Sequence, residues 1–209
     1  MACDSKILVG LTGNIACGKS TVLAMLRELG AHTIDADQLV HAILRRGGPA
    51  YEPVLKEFGP SILGEDGEID RRALGRIVFA DPEKLRRLEN IEHPIVRQLI
   101  EAEIASAQQR VVVLDAIKLI ESGWADRCDS VWVVTCRRDQ QIERLVNARG
   151  YSPQEAEERV NAQTPQEIKV ARADVVIDNS GTIEETRKQV VEAWRRLVSK
   201  KIDDKCDCN

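Results

Sequence analysis

The stretch Gly13-Asn-Ile-Ala-Cys-Gly-Lys-Ser20 satisfies the pattern G-x-x-x-x-G-K-[ST] at every fixed position. The pattern works only between a strand and a helix, so it constrains the fold as well as the chemistry. Both flanks supply that context. Lys6-Ile-Leu-Val-Gly-Leu11 is a short apolar run that reads as a buried strand, and Lys19–Leu29 carries Val22, Leu23, Leu26 and Leu29 at helical spacing. Glycines let the backbone curl so that successive N–H groups turn inward onto phosphate oxygens. The helix that follows adds its positive dipole end. Lys19 is then expected to reach the β- and γ-phosphates, and the Ser20 hydroxyl to serve as a Mg2+ ligand. The expected nucleotide contacts in the loop are Gly13, Asn14, Ile15, Ala16, Cys17, Gly18, Lys19, Ser20 and Thr21. Cys17 lies beside a helix N-terminus and two residues before Lys19, both of which favour a thiolate. It is expected to be oxidation-sensitive, the other reading being a buried stand-in for serine.

Beyond the loop, strands and helices alternate, the signature of a parallel sheet covered by helices. Thr33-Ile-Asp35, Arg110–Asp115, Ser130–Thr135 and Val175–Asp178 read as four further strands, apolar enough to be buried on both faces. Ser152-Pro-Gln-Glu155, Thr164-Pro-Gln-Glu167 and Thr182-Ile-Glu-Glu185 each place a hydroxyl three residues before a glutamate and so predict capped helix starts. The last helix puts Ile183, Val190, Val191, Trp194, Leu197 and Val198 on one stripe. Residues 47–109 break the alternation with helical segments only, at Asp70–Phe79, Pro82–Asn90 and Pro94–Gln109. The fold class is therefore α/β: a P-loop NTPase core with a five-stranded parallel sheet (1–46, 110–149, 174–198), an inserted helical domain (47–109) and a short helical lid (150–173). The lid is polar and is expected to make few core contacts and to order on ATP. Residues 199–209 read as a polar tail, with Cys206 and Cys208 in a frayed terminus.

With 209 residues the chain is long enough to bury a core without disulfides or a structural metal. A net charge of −4 argues against a general nucleic-acid or membrane-surface binder. No apolar run approaches a membrane span, and the start lacks the features of a signal peptide. The six cysteines show no paired spacing outside the tail. Together these predict a cytoplasmic protein with reduced thiols, and no obligate protein partner is expected.

A phosphate loop does not name the reaction. Asp115, closing an apolar run, suits an acidic group that supports Mg2+ through water, and equally a strand-end cap. A guanine-reading [NT]-K-x-D motif and the transporter signature LSGGQ are both absent. What remains is a small kinase moving a γ-phosphoryl group onto a bound acceptor. Thr33-Ile-Asp35-Ala-Asp37 places two carboxylates at the end of a strand that reads as the neighbour of the loop strand. One can orient a hydroxyl and take its proton, and at least one can instead cap the helix beginning near Ala36. Asp35 suits a structural or water-mediated Mg2+ role, while Asp37 lies further out.

These residues, taken as a set, resemble the dephospho-coenzyme A kinases from Ile7 to about Val198. The markers stand in order: Gly10-Leu-Thr-Gly13, Ile34-Asp-Ala-Asp37, Asp70-Arg-Arg-Ala-Leu74 with Val78-Phe79, His93-Pro94, Glu121, Arg144 and Arg149, Gln163, Lys169, and Ala173–Asn179 with Gly181. The resemblance implies ATP-dependent phosphorylation of the ribose 3′-hydroxyl of dephospho-coenzyme A. It implies Asp37 as the acceptor-activating carboxylate and Arg149 and Lys169 as lid cations on the triphosphate. Asp178, Asn179 and Gly181 match the loop beside the adenine, and Arg72, Arg76, His93 and Arg97 would line the acceptor domain. Arg76 and Arg97 read equally as solvated helix faces and His93 as a helix cap. A nucleoside or nucleotide kinase with another acceptor, and a non-catalytic nucleotide-binding regulator, are the other readings. Two departures stand out: Ala116-Ile-Lys-Leu119 where the family often has Val-Pro-Leu-Leu, and Asn14-Ile-Ala-Cys17 where its loop commonly reads Gly-Ile-Gly-Ser.

Overall fold

A computed structural model describes residues 6–206, with side chains through residue 199. In chain order the strands are β1 (Ile7–Gly13), β2 (His32–Asp35), β3 (Val111–Asp115), β4 (Ser130–Thr135) and β5 (Val175–Asp178). The α-helices are α1 (Lys19–Glu28), α2 (Ala36–Ile43), α3 (Tyr51–Phe58), α4 (Arg71–Phe79), α5 (Pro82–Ser106), α6 (Arg138–Arg149), α7 (Pro153–Asn161), α8 (Gln166–Val170) and α9 (Ile183–Cys206). The five expected strands form one sheet in the order β2-β3-β1-β4-β5. β1 pairs in parallel with β3 on one side and β4 on the other, and β4 pairs in parallel with β5. One expectation is corrected here: β3, not β1, is the neighbour of β2.

The chain falls into two compact units, one formed by the chain up to Ile34 and from Ala107 onward, the other by Asp35–Ser106. In the first, alternate residues of the inner strands are buried on both faces, as a parallel sheet requires. On one face Ile7, Val9, Leu11, Val111, Val113, Trp132, Val134 and Ile177 pack with Val22, Leu23, Met25 and Leu26 of α1 and Val190 and Ala193 of α9. Trp132 is fully buried and spends its indole N–H on the Ser130 hydroxyl. The α9 stripe is narrower than its spacing suggests, for Ile183 at its start is 54% exposed. Residue 206, expected within a frayed tail, lies inside α9; Cys208 lies outside the described residues.

The second unit is helical and takes in α2 through α5, with one antiparallel bridge between Leu63 and Ile69. It buries Ile43, Val54, Ile62, Leu74, Val78, Leu88, Val96 and Ile100. Asp70 caps α4 by accepting the N–H groups of Arg72 and Ala73 at 2.8 and 3.2 Å, which holds its carboxyl below the usual range. The two helices expected at Pro82–Asn90 and Pro94–Gln109 are one helix of 25 residues with Pro94 inside it. Leu88, Val96 and Ile100 keep a buried face on both sides of the proline, which is itself exposed. That packing carries the helix through a residue that lacks an N–H and crowds the preceding turn.

Pro94 therefore opposes the helix that contains it. Pro94→Ala returns an N–H for the Asn90 carbonyl and is expected to raise stability by about 1–3 kcal/mol. The readout is the urea midpoint at unchanged m. A lowered midpoint would show that the proline is not a local strain on α5.

Candidate active site

The loop between β1 and α1 is held in shape by a bond of its own, from the Cys17 N–H to the Asn14 carbonyl at 3.3 Å, and by several that approach it from outside. Ala16 is the one non-glycine residue with positive φ among the described residues, at 58°, and Gly18 follows at 91°. A Cβ on Gly18 would stand 1.9 Å from the Asn179 amide nitrogen, so only glycine fits. Asn179, buried at the end of β5, donates from Nδ2 to the Cys17 carbonyl at 2.9 Å and accepts from the Thr186 hydroxyl at 2.9 Å. Arg144 of α6 donates to the carbonyls of Ala16 and Asn179, at 3.2 and 2.9 Å. The Thr21 and Val22 N–H groups of the first turn of α1 donate to the Gly18 carbonyl at 3.0 and 3.3 Å, and the helix turns its positive dipole end toward the loop.

Further along the loop, two residues of the 150–173 segment take part. The Gln163 side chain accepts the Ile15 N–H at 2.7 Å, and the Asn14 side chain donates to the Thr164 carbonyl at 3.0 Å. Two expectations change as a result. Thr164 gives its carbonyl to Asn14 and does not cap a helix; α8 begins after Pro165 without a side-chain cap. The Ser152–Glu155 capping box does form, as does the reciprocal pair at Thr182 and Glu185. The segment also has more core contact than its polarity suggests. α8 packs on β1 and β4, whereas α7 packs on α6.

Lys19 forms an ion pair with Asp115 at the end of β3. The Asp115 side chain is nine-tenths buried, so the pair is largely out of water. Ser20 stands next to Lys19 in the first turn of α1 and is exposed. A second ammonium lies close by. Lys169 of α8 is buried and donates to the Ile117 carbonyl at 3.0 Å, the same carbonyl that accepts the Thr12 hydroxyl at 3.1 Å. Burial lowers the Lys169 pKa from its ordinary value, with Glu121 opposing. The departure at Ile117-Lys118 is thus anchored by a backbone carbonyl, and both side chains are exposed.

The expected site residues divide into those joined to the loop and those elsewhere. Asn14, Lys19, Asp115 and Asn179 are tied into it by side-chain bonds, and Lys169 lies near Lys19 and Cys17. Arg149 sits exposed at the end of α6, while Arg144, one and a half turns earlier, is the arginine bound to the loop. Gly181 is exposed; a Cβ there would meet the Glu185 carboxylate at 2.2 Å. In the helical unit Asp35 is the cap of α2, accepting the Gln38 N–H at 2.9 Å, which leaves Asp37 in the first turn free of the capping role. Burial and Arg71 hold the pKa of His41, one turn after Asp37, below its usual value. Arg72 and Arg76 lie four apart on α4, His93 and Arg97 four apart on α5, and all four are exposed. His93 is inside α5 and does not cap it. Arg144 and Gln163 stood among the family markers without an assigned contact, and Thr164 was read only as a cap, because side chains that brace a loop backbone carry no spacing that says what they touch.

Strand, braced phosphate loop and helix in a parallel sheet define a P-loop α/β protein with an ammonium and a carboxylate at the phosphate position. A family model described as dephospho-CoA kinase matches residues 7–185. A dephospho-CoA kinase from Symbiobacterium thermophilum is 50% identical over 191 residues, covering 90% of this chain and 80% of the relative. A crystal structure from Thermus thermophilus superposes with a TM-score of 0.81 at 34% identity, covering 92% of this chain and 97% of that one. The dephospho-CoA kinase from Campylobacter jejuni superposes at 0.67 with 27% identity over 93% and 98%. The chain belongs to the dephospho-CoA kinase family. No described helix is long and apolar enough to cross a membrane.

Cys17 is corrected. It is fully buried, and burial pushes its thiol up to about 11, against the loop lysine and the Lys19 N–H that pull the other way. At neutral pH it is a thiol, the stand-in for serine, and not a reactive thiolate. A folded pKa above the unfolded value near 9 means that its contribution to stability is complete below pH 9 and lost as pH rises through 11. Iodoacetamide at pH 8 is expected to spare Cys17 in the native protein and to label it in urea. Native labelling at the unfolded rate would contradict this burial.

Proposed function

We propose that the protein transfers the γ-phosphoryl group of ATP to the ribose 3′-hydroxyl of dephospho-CoA, giving CoA and ADP. The observation that supports this most is the intact, externally braced phosphate loop in a chain of this family. In the reaction the acceptor oxygen forms a bond to phosphorus as the bond between the β,γ-bridging oxygen and that phosphorus breaks. The hydroxyl proton passes to a carboxylate.

Lys19 is assigned to the phosphate oxygens, where its ammonium meets charge that grows in the transition state. In exchanging Asp115 for phosphate it keeps a counter-charge throughout. The positive N-terminal end of α1 is assigned to the remaining oxygens. Asp37 is assigned to orient the hydroxyl and accept its proton, since Asp35 is committed to the helix cap. Arg149 is assigned to the triphosphate, and Asn179 and Gly181 to the adenine side. Lys169, bonded to the Ile117 carbonyl, serves the same site from beneath the loop. Arg72, Arg76, His93 and Arg97 are assigned to the acceptor.

Mg2+ fits the residues present. Ser20, next to Lys19 at the start of α1, offers a hydroxyl oxygen, and Asp115, paired with Lys19, a carboxylate that would act through water; so few protein ligands suit an ion that keeps waters and phosphate oxygens for its other positions. Bound there, it would neutralise developing phosphate charge. Asp35 is dropped from that role, because its carboxylate is used by the Gln38 N–H.

Formation of CoA and ADP from Mg-ATP and dephospho-CoA, with adenosine and nucleoside monophosphates as competing acceptors, tests the assignment. Lys19→Ala is expected to fold normally by circular dichroism and to lose more than nine-tenths of the activity, beyond about 1.4 kcal/mol of barrier. Asp37→Asn is expected to lower kcat by ~10²–10⁴ with ATP affinity unchanged. A near-normal kcat in Asp37→Asn would move the proton-accepting role to another group.

A further inference from the structure

β5 is the outer strand of the sheet, with β4 on one side and, among the described residues, no strand on the other. Such an edge carries a row of N–H and C=O groups that a further chain can pair with. At its upper end the protein closes the row itself. The Gln189 side chain of α9 accepts the Asp178 N–H at 2.9 Å and donates to the Asp178 carbonyl at 2.8 Å, the two bonds that a neighbouring strand would make. Strand alternation turns the N–H and C=O of Val176 to the same side as those of Asp178. There the edge stays open. Val176 is 42% exposed, and this part of β5 forms one wall of a cavity of about 570 Å3. Ala193 and Leu197 of α9 supply the facing wall. The charged groups of the lining are Asp129, Asp174 and Glu192 against Arg196 alone, and Arg196 is ion-paired with Glu192. The cavity lies at the N-terminal ends of β4 and β5, whereas the phosphate loop follows the C-terminal end of the parallel β1.

We propose that the β5 edge binds an extended segment of a partner protein as a sixth strand, and that this segment alternates basic and apolar side chains. Backbone pairing at Val176 gives the affinity, and the two faces of the added strand give the choice of sequence. Ile177 packs on the α9 side, so the Val176 side chain faces the other way. Side chains of the added strand on the α9 side enter the cavity. A lysine or arginine lays its apolar stem along Ala193 and Leu197 and its cationic head at Asp174 and Glu192. Side chains on the other side lie next to Val176, where an apolar residue makes a cross-strand pair. A second copy of this chain does not suit the edge. Antiparallel pairing of two β5 strands about Val176 sets each Asp174 opposite the other copy's Asp178. Like charges placed opposite destabilise a ladder.

The probe is the peptide Lys-Val-Lys-Val-Lys, blocked at both ends and titrated into the full chain by calorimetry. It is expected to bind about tenfold more tightly than Glu-Val-Glu-Val-Glu, and less tightly as salt rises. Two further forms carry N-methyl groups on the valines or on the lysines. One of the two is expected to lose about tenfold, since only alternate N–H groups of an added strand face β5. Glu192→Lys, on the exposed face of α9, is expected to reverse the preference between the lysine and glutamate peptides with the circular dichroism spectrum unchanged. Equal affinity for the two peptides, or a preference that Glu192→Lys leaves in place, would overturn the choice of a basic partner. Full binding by both N-methylated forms would show attraction without strand pairing and overturn the edge. Absence of binding at millimolar peptide would overturn the proposal outright.

Discussion

Everything at the site depends on keeping a short stretch of backbone turned the wrong way. Ala16 and Gly18 adopt left-handed conformations, and at Ala16 the Cβ opposes it by about 1–2 kcal/mol. The loop's own backbone bond, from the Cys17 N–H to the Asn14 carbonyl, is long at 3.3 Å, and the rest of its bracing is supplied from outside. The bonds that hold it come from three separate places in the sequence. Arg144 engages the carbonyl of Ala16, Asn179 that of Cys17, and Gln163 the N–H of Ile15. Each is itself fixed: Asn179 by Thr186, Arg144 by the Asn179 carbonyl, Gln163 by the docking of α8 on the sheet.

The same arrangement explains the uneven legibility of the chain. The sheet was readable because valine-rich runs such as Val111–Leu114 and Val131–Val134 are apolar on both faces, and none of the described helices imitates that pattern. The phosphate loop was readable because its glycines, lysine and serine are each fixed by local chemistry. The strand order was not, since nothing in β2 or β3 encodes which of them lies beside β1. Pro94 misled for a related reason. A proline signals a break locally, and the buried face of α5 that overrides it is a tertiary fact.

Errors at the site share one cause. Spacing shows which residues could act, and burial decides which of them do. Cys17 had the neighbours of a thiolate and the burial of a core residue, and burial dominates its pKa. Thr164 had the sequence of a cap, but α8 starts at Gln166 with Pro165 in the cap position, one residue beyond the reach of its hydroxyl. Asp35 and Asp37 were indistinguishable by alternation. The cap at Gln38 separates them, because a carboxylate that satisfies a helix N-terminus has one oxygen fewer for anything else.

The position of β1 has a consequence for synthesis. It is the central strand, yet its two partners, β3 and β4, are encoded about a hundred residues later, after the whole of the helical unit. At ribosomal rates of about 5–20 residues per second, β1 waits roughly 5–20 s before either neighbour exists. During that interval Ile7, Val9 and Leu11 have only α1 to cover them, while the helical unit has all of its own chain. The unit encoded in the middle can therefore fold first, with the half-made sheet open beside an unpartnered apolar strand. For this chain, the exposure to chaperones and to aggregation lies in the delay between the first strand and the third.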